Sequence, residues 1–443
     1  MKIMKVIYVG DNRNRGNFGC RATSTALSQI IEQEHEIVGT VYGKYTNVDT
    51  GELFFYKYLP SWIYKKLGKI SNWKYIKSGL YLFIRFIKKG RNYFLSNFDY
   101  LGYDMDESIN NFIKCLPANP HLREFDLRQY DFDALIVNGE GSFIFRNPPW
   151  RECLNELMLM HWAQKMGKKV YYMNGMLSDD PFTERNEKNI EVVKPVFEKC
   201  KAVCVREQYS YEYAKKYFSK SCIRKYPDAL FTWYELINDE FKITNGKYIM
   251  GMSGAYNNSF ENFDFTKPYI CISGSSAVGK ATNNKEKIVS RYEKLVNEVK
   301  KSIPYNVYLV EVCEGDYFLR EVGKRTKTDI ISIDTPILAA GKILADASLY
   351  ISGRYHPAIL ASMGGTPCVF MSSNSHKTKS LQELLEYDIV HEYYVLPSDK
   401  EIEQMIERAK FLLGEGNEVR KKIQTRSKEL SDSAKKMIEV LRK

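Results

Sequence analysis

A guanidinium and an imidazole, the side chains of Arg354 and His356, follow a short apolar run at residues 349–351. The run predicts a buried strand that stops at Ser352 and Gly353, and an amphipathic helix is predicted over residues 356–363. A guanidinium binds carboxylates and phosphates, while an imidazole gives and takes a proton near neutral pH. The two residues therefore predict a site for a small anion with a proton donor beside it.

A second group of polar side chains follows the next apolar run, at residues 368–371. It contains hydroxyl, imidazole and ammonium groups: Ser372, Ser373, His376 and Lys377. A strand, a helix and a strand in so few residues form a βαβ unit, which requires a parallel sheet whose ligands bind at the carboxyl ends of the strands. We therefore expect both groups to face one crevice. A surface or capping role is the alternative for each residue taken alone.

The amino-terminal loop at residues 10–19, GDNRNRGNFG, joins a strand predicted at residues 5–9 to a helix predicted at residues 21–32. Glycines between a strand and a helix let backbone N–H groups approach an anion. The spacing is neither the dinucleotide fingerprint nor a P-loop, because the P-loop lysine is missing. We therefore expect Asn17 to bind a polar ligand, and a simple turn is the alternative.

A second glycine-containing loop, NGEGS at residues 138–142, follows a strand predicted at residues 130–137. Its Glu140 can act as an acid, as a base or as a carboxylate that orients a hydroxyl. The alternative for Glu140 is an ordinary capping or loop role. We expect Gly139, Gly141 and Ser142 to bind substrate beside this carboxylate.

Predicted strands and helices alternate through both halves of the chain. Further strands are predicted at residues 36–42, 169–173, 202–205, 269–273, 306–312 and 329–333, and helices at about residues 151–166, 187–199, 285–301 and 336–345. Arg206 and Ser275 closely follow two of these strands, so we expect both to bind substrate at the same kind of sheet edge. The alternation predicts an α/β protein of two Rossmann-like parallel-sheet domains that face a central cleft.

The chain of 443 residues is too long for a single hydrophobic core. We expect an amino-terminal domain at residues 1–240 with a basic and aromatic insertion at about residues 44–125. The linker region is predicted at a polar stretch, residues 238–247, and at a run rich in Gly, Asn and Ser, residues 251–258. A carboxyl-terminal domain at residues 241–420 and a final helix at residues 421–443 complete the prediction.

The net charge is +11, and residues 57–98 contain ten lysines and arginines with interleaved aromatic residues but no aspartate or glutamate. Such a segment can bind an anionic membrane surface. A helical excursion with a solvated basic face is the alternative. Nucleic acid is not expected as a partner, because the sequence has no zinc-ligand spacing, RNA-binding aromatic pair or recognition helix.

Nine cysteines are scattered through the chain without a C-x-x-C pair. This distribution is typical of free buried thiols in a reducing cytoplasm, and it gives no reason to expect a metal site. The sequence contains no apolar run of transmembrane length. We therefore expect a cytoplasmic protein, with peripheral contact at the inner face of the plasma membrane through residues 57–98.

Four of these segments together resemble the polysaccharide pyruvyl transferase family. The first two are NRGNFG at residues 14–19 and NGEGS at residues 138–142. The third is VRE at residues 205–207, with Ser210 and Pro227-Asp228. The fourth is SGRYH at residues 352–356, with Gly365-Thr366-Pro367 and Lys377. The resemblance spans about residues 6–377, except that residues 44–125 have no placed counterpart.

This resemblance implies a glycosyltransferase-B-like (GT-B-like) fold and the transfer of pyruvate from phosphoenolpyruvate to two hydroxyls of one sugar, which forms a cyclic ketal. The acceptor would be a cell-surface polysaccharide or a lipid-linked oligosaccharide precursor. The functional Arg, His and Lys of the family match Arg206, His356 and Lys377. With Arg354, the cations would bind phosphoenolpyruvate, and His356 would protonate its methylene carbon or relay a hydroxyl proton. Neither a cofactor nor a metal is expected.

One departure from the family pattern keeps other functions open. Gly139-Glu140-Gly141 stands where the family usually has three glycines, and it places a carboxylate at the expected site. The first alternative is a GT-B glycosyltransferase in which Glu140 is the general base and the donor is a nucleotide-activated sugar. A non-catalytic scaffold that binds glycan or lipid is the second alternative.

Overall fold

The computed structural model describes residues 3–42, 100–116, 120–239, 241–244, 247–250 and 263–442. The chain forms two compact units. Unit 1 is built from residues 1–12, 31–205 and 210–224, and unit 2 from residues 13–30, 206–209 and 225–443. Short segments of the amino-terminal half therefore belong to unit 2. The domain limits at residues 240 and 420 stay predictions.

Unit 1 is organised around a sheet of six strands. Its strands, with two short ones beside them, are β1 (Lys5–Asp11), β2 (Glu36–Tyr42), β3 (Ala134–Asn138), β4 (Phe143–Ile144), β5 (Lys169–Gly175), β6 (Leu177–Ser178), β7 (Ala202–Val205) and β8 (Ile223–Lys225). The order in the sheet is β2–β1–β3–β5–β7–β8, and β2 to β7 pair in parallel. Strands β4 and β6 form a separate parallel pair.

A five-stranded sheet organises unit 2. After a hairpin of β9 (Phe241–Thr244) and β10 (Lys247–Met250), its strands are β11 (Tyr269–Ser275), β12 (Asn306–Val310), β13 (Ile330–Ile331), β14 (Leu349–Gly353) and β15 (Cys368–Phe370). They lie in the order β13–β12–β11–β14–β15, all in parallel. Both sheets confirm the predicted α/β class with parallel strands.

Fourteen α-helices lie among the described residues. They are α1 (Phe18–Glu32), α2 (Met105–Cys115), α3 (Arg151–Lys165), α4 (Glu187–Glu198), α5 (Gln208–Tyr217), α6 (Tyr234–Asp239), α7 (Val278–Ala281), α8 (Lys285–Ser302), α9 (Phe318–Thr326), α10 (Ile337–Asp346), α11 (Tyr355–Met363), α12 (Lys377–Leu384), α13 (Asp399–Gly414) and α14 (Asn417–Lys435). None of them is both long and apolar enough to cross a membrane.

Helix α8 shows why these segments fold as predicted. Its buried side chains include Ile288, Tyr292, Leu295 and Val299, which recur every three or four residues and so form one apolar face. Asn284 caps its amino terminus by accepting a hydrogen bond from a backbone N–H of the first turn, 3.0 Å away. Local sequence therefore determines both the position and the buried face of this helix.

Each unit has its own hydrophobic core. In unit 1 the core includes residues that precede β3, namely Tyr100, Leu101, Met105, Ile109, Phe112, Leu122, Phe125 and Leu127. The far end of the predicted insertion is therefore part of this core. Residues 57–98, for which membrane contact is predicted, lie outside the described residues.

Several element ends differ from the predicted ones. Strand β14 continues to Gly353 and β11 to Ser275, because these two residues still pair with each other past the glycine-containing strand ends. Residues 238–247 were predicted as part of a linker, yet they contain the end of α6, strand β9 and the first residue of β10, which pairs antiparallel with β9. Residues 251–258 of that linker lie outside the described residues.

Candidate functional site

The predicted site residues divide between the two units. Unit 2 contains Asn17, Arg206, Ser275, Arg354, His356, Ser373 and Lys377, whereas unit 1 contains Gly139, Glu140, Gly141 and Ser142.

The centre of the group in unit 2 is a buried cluster of Arg206, Asp228 and His356. Arg206 follows the end of β7, and His356 lies in the first turn of α11, directly after β14. Arg206 Nη1 donates to Asp228 Oδ2 at 2.8 Å, and His356 Nε2 lies 3.3 Å from the same oxygen. Arg206 Nη1 and His356 Nε2 are 3.2 Å apart. The fold thus brings together two residues that are 150 positions apart in sequence.

Asp228 is the acceptor that holds this cluster together. Its Oδ1 accepts from Thr23 Oγ1 at 2.7 Å and from the backbone N–H of Leu230 at 3.0 Å. Burial by itself raises the pKa of the Asp228 carboxyl, but the neighbouring His356 and Arg206 hold that pKa well below its ordinary range. Asp228 is therefore a carboxylate at neutral pH, and its negative charge faces both neighbours.

The ring of Tyr355 packs against both Arg206 and His356. The guanidinium carbon of Arg206 is 4.6 Å from the ring centroid, and the ring forms an edge-to-face pair with the His356 ring, with the centroids 5.2 Å apart. The ring is buried, and such cation–π contact stabilises a guanidinium that has lost its water. Tyr355 thereby restricts the orientation of Arg206.

The amino-terminal loop packs directly against His356. A Cβ atom at Gly19 would lie 2.9 Å from His356 Cβ and 3.3 Å from Pro357 Cδ, so a side chain there would collide with the first turn of α11. Asn17 Oδ1 accepts from the backbone N–H of Cys20 at 3.1 Å and so caps the start of α1. In this structure the Asn17 side chain positions the loop, and its predicted contact with substrate stays a prediction.

Arg354 forms a second buried ion pair. Its Nη2 donates to Asp316 Oδ1 at 2.5 Å, and Asp316 Oδ2 accepts from the backbone N–H of Val312 at 3.1 Å. Burial lowers the pKa of a guanidinium, but the Asp316 charge outweighs burial and raises the pKa of Arg354, which keeps the guanidinium charged. Arg354 Nε is buried and has no hydrogen-bond partner among the described residues. That N–H group is a donor available to a ligand.

Two serines of unit 2 that were predicted to bind substrate, Ser275 and Ser373, form hydrogen bonds within their own loops. Ser275 Oγ donates to the carbonyl of Ser372 at 2.6 Å and accepts from the backbone N–H of Ala277 at 3.1 Å. Ser373 Oγ donates to the carbonyl of Ser375 at 2.8 Å. These bonds shape the ends of β11 and β15. Binding of substrate by either hydroxyl stays a prediction.

A second imidazole–carboxylate pair lies near the start of α12. His376 Nε2 is 3.0 Å from Oε1 of the fully buried Glu207, and Ser380 Oγ donates to Glu207 Oε2 at 3.1 Å. The His376 ring stacks on Tyr209 at 5.0 Å, with 28° between the planes. Lys377, the first residue of α12, is half-buried.

In unit 1, Glu140 occupies a backbone conformation that favours glycine. Its φ is +34°, in the left-handed region. The side chain is buried and accepts from Asn12 Nδ2, and the Glu140 carbonyl accepts from the backbone N–H of Met176 at 2.8 Å. Strain at a buried carboxylate that fixed neighbours hold in place is typical of functional positions.

The residues around Glu140 are tightly packed as well. A Cβ atom at Gly139 would overlap the ring of Tyr172, so only glycine fits there. Ser142 Oγ donates to Oε2 of the buried Glu156 at 2.7 Å. Gly141, in contrast, has space for a side chain. A Cβ atom there would lie 3.8 Å from the Met176 side chain, an ordinary van der Waals contact.

The family model for polysaccharide pyruvyl transferase matches residues 17–375. The chain belongs to this family. It is therefore a transferase of polysaccharide biosynthesis, and a sugar or polysaccharide acceptor is implied. Arg206 and His356 lie within the matched residues, whereas His376 and Lys377 lie just beyond them.

Solved structures with a similar fold include UDP-GlcNAc 2-epimerases. The enzyme from Neisseria meningitidis, bound to UDP-GlcNAc, is 12% identical and has a TM-score of 0.56, with 99% of each chain covered. The enzyme from Rickettsia bellii is also 12% identical and has a TM-score of 0.53, with 99% of this chain and 96% of that chain covered. At this identity the likeness shows the fold alone, and it confirms the predicted GT-B-like class. None of the curated proteins matches this chain.

Sequence reasoning did not assign a role to four buried carboxylates of this pyruvyl transferase family member. Asp228 contacts Arg206 and His356, and Asp316 contacts Arg354. Glu156 accepts from Ser142, and Glu207 contacts His376. Asp228 and Glu207 lie within the family-like segments, so their positions were visible, but the contacts they make were not. Asp316 and Glu156 carry no local signal that separates them from surface acids.

Proposed function

We propose that the protein transfers the pyruvyl group of phosphoenolpyruvate to two hydroxyls of one sugar in a cell-surface polysaccharide or a lipid-linked precursor, forming a pyruvate ketal. The observation that carries this proposal is the buried cluster of Arg206, Asp228 and His356 in unit 2. It combines an oriented guanidinium with an imidazole that can transfer a proton. Both groups lie within the residues that match the family.

Recognition of the donor depends on fixed cations. Phosphoenolpyruvate carries a carboxylate and a phosphate, and guanidinium groups bind such oxyanions in a defined orientation. Asp228 and Asp316 hold Arg206 and Arg354 in place, so these side chains are ordered before any ligand binds. The Nε–H group of Arg354 and the ammonium of Lys377 are proposed to contact phosphoenolpyruvate.

His356 is proposed to protonate the methylene carbon of phosphoenolpyruvate. The central carbon then becomes electron-poor and is attacked by a sugar hydroxyl. Asp228 supports this role because its Oδ2 lies 3.3 Å from His356 Nε2 and orients the imidazole. In the same reaction, Glu140 is proposed to orient or deprotonate the acceptor hydroxyl, because it is a buried carboxylate that Asn12 holds in place.

We infer that the transfer needs neither a metal nor an organic cofactor, because arginine and lysine side chains neutralise the phosphate. We also propose that the protein is cytoplasmic and that residues 57–98 contact anionic lipid near a lipid-linked acceptor. Cosedimentation with anionic liposomes at low salt tests this contact, and failure to cosediment would exclude it.

A thermal-shift titration with phosphoenolpyruvate, in parallel with nucleoside mono- and diphosphates, tests the donor. A ligand at 100 times its Kd stabilises the native state by about 2.7 kcal/mol. We expect phosphoenolpyruvate to raise the melting temperature, and Arg206→Ala or Lys377→Ala to abolish the rise. Lys400→Ala, at an exposed position of α13, is the matched control and should leave it unchanged.

The same titration can refute the proposal. Stabilisation by a nucleotide and none by phosphoenolpyruvate would make the protein a transferase with a nucleotide-activated donor, as in the alternative derived from Glu140. Stabilisation by phosphoenolpyruvate that survives Arg206→Ala would place the donor away from the buried cluster.

A further inference from the structure

Ketal formation requires two rounds of proton transfer. In the first half, a sugar hydroxyl bonds to the central carbon of phosphoenolpyruvate, its proton leaves, and the methylene carbon gains a proton to become a methyl group. In the second half, the bond between the central carbon and the phosphate oxygen breaks, and its electron pair leaves with the phosphate, which gains a proton. The second hydroxyl then bonds to the central carbon and loses its proton. Each half therefore gives up one proton and gains one.

In the first half, His356 gives the proton to the methylene carbon and Glu140 acts on the sugar hydroxyl, so the two proton transfers of the second half have no group assigned to them. The buried cluster of unit 2 contains a single imidazole, His356. A second group of the same kind would serve the second half. The pair of His376 and Glu207 has the features of such a group, and the roles assigned above do not use it.

Glu207 is fully buried, whereas 19% of the His376 side chain is exposed. Burying a carboxylate is costly unless its hydrogen bonds are satisfied, and His376 and Ser380 both serve as its partners. Since Glu207 can only accept, Nε2 of His376 must carry a hydrogen. Nδ1 is then the nitrogen that can exchange a proton with a substrate.

Further contacts hold the His376 ring in one orientation. The ring stacks on Tyr209, whose hydroxyl donates to Glu383 at 2.5 Å. His376 directly precedes α12, and Lys377, whose ammonium is proposed to contact the donor anion, is the first residue of that helix. Glu207 directly follows Arg206 in sequence. Arg206 contacts His356 and Glu207 contacts His376, so two consecutive residues contact the two histidines.

We propose that His376, positioned by Glu207, is the second proton-transfer residue: it protonates the departing phosphate and accepts the proton of the second sugar hydroxyl. This role rests on the proposed function. His356 serves the first half, at the methylene carbon, and His376 serves the second, at the phosphate.

The test separates the two halves in deuterium oxide, with phosphoenolpyruvate as donor and a panel of methyl hexopyranosides as soluble diols. The first half is followed by deuterium that enters the methylene group of recovered phosphoenolpyruvate, and the second by release of inorganic phosphate. His376→Asn should lower phosphate release at least about 100-fold, the contribution typical of general acid–base catalysis, while deuterium exchange continues. Glu207→Gln should act in the same direction, and His356→Asn should lower both signals.

A matched control is available in unit 1. His161 Nε2 lies 3.0 Å from Asp106 Oδ1, the same distance as in the proposed pair, but Asp106 is exposed. His161→Asn should change neither signal. Unchanged phosphate release in His376→Asn would overturn the proposal. Equal loss of both signals in that variant would also overturn it, since it would indicate a structural role.

A second measurement needs no acceptor. The chain has six histidines, so the imidazole resonances in a proton spectrum are few, and His376→Asn identifies that of His376. Inorganic phosphate should shift this resonance and leave that of His161 in place; no shift would overturn the proposal. If the native enzyme releases no phosphate from phosphoenolpyruvate while this shift occurs, the proposed function fails and the contact of His376 with phosphate stands.

Discussion

Asp228→Asn tests the buried cluster most directly. The replacement keeps the shape of the side chain and an oxygen that can accept from Thr23 and from the backbone N–H of Leu230. It removes the negative charge next to His356 and Arg206, which is 2% exposed, and puts an NH2 group in place of Oδ2, the oxygen that accepts from Arg206. Removal of one partner from a buried ion pair costs about 3–5 kcal/mol, because the other charge is left without compensation. We expect a loss of this size in the free energy of unfolding at neutral pH.

The pH dependence of this loss has a defined sign. The folded-state pKa of Asp228 lies below its unfolded-state value. Its contribution to stability is therefore fully present above the unfolded-state pKa of about 3.9 and disappears as the pH falls through the lower folded-state pKa. The difference between the native protein and Asp228→Asn should thus be constant from about pH 5 to pH 8 and shrink only in stronger acid.

Urea unfolding followed by circular dichroism measures both effects. Asp399→Asn is the matched control, since Asp399 pairs with Arg291 and Lys294 but is 60% exposed, and its loss should stay below about 1 kcal/mol. The double variant with Arg206→Met should lose less than the sum of the two single variants, because no unpaired charge remains. Additive losses, or a loss below about 1 kcal/mol for Asp228→Asn, would refute the reasoning.

Three further predictions follow from single contacts. Gly139→Ala should lower the free energy of unfolding by about 1–3 kcal/mol in urea titrations, because a methyl group there overlaps the ring of Tyr172. Thr23→Val removes a hydroxyl that donates to the carboxylate of the buried cluster, and it should cost about 1–3 kcal/mol in the same assay. Burial raises the pKa of Cys204 to about 12, so a thiol reagent at mildly alkaline pH should label the exposed Cys222 and leave Cys204 unlabelled until the chain unfolds.

Much of the fold could be predicted from local patterns. The strand Glu36–Tyr42 and the strand Ala202–Val205 have the predicted limits, and helix α8 ends one residue later than predicted. Such elements follow from the spacing of apolar residues along a short segment. The division of the chain was not visible in this way, because residues 13–30 and 206–209 join unit 2 through packing with residues that are distant in sequence.

The sequence by itself determined the α/β class, the parallel sheets and the polar residues at strand ends, since periodicity and strand termination are local properties. It also contained the family signature. Only the tertiary structure decided which charges face each other. His356 lies 150 positions from Arg206, Arg354 lies 38 from Asp316, and His376 lies 169 from Glu207. A buried carboxylate and a surface carboxylate look alike in a sequence, and the difference arises only when packing removes water from one of them and supplies its partner.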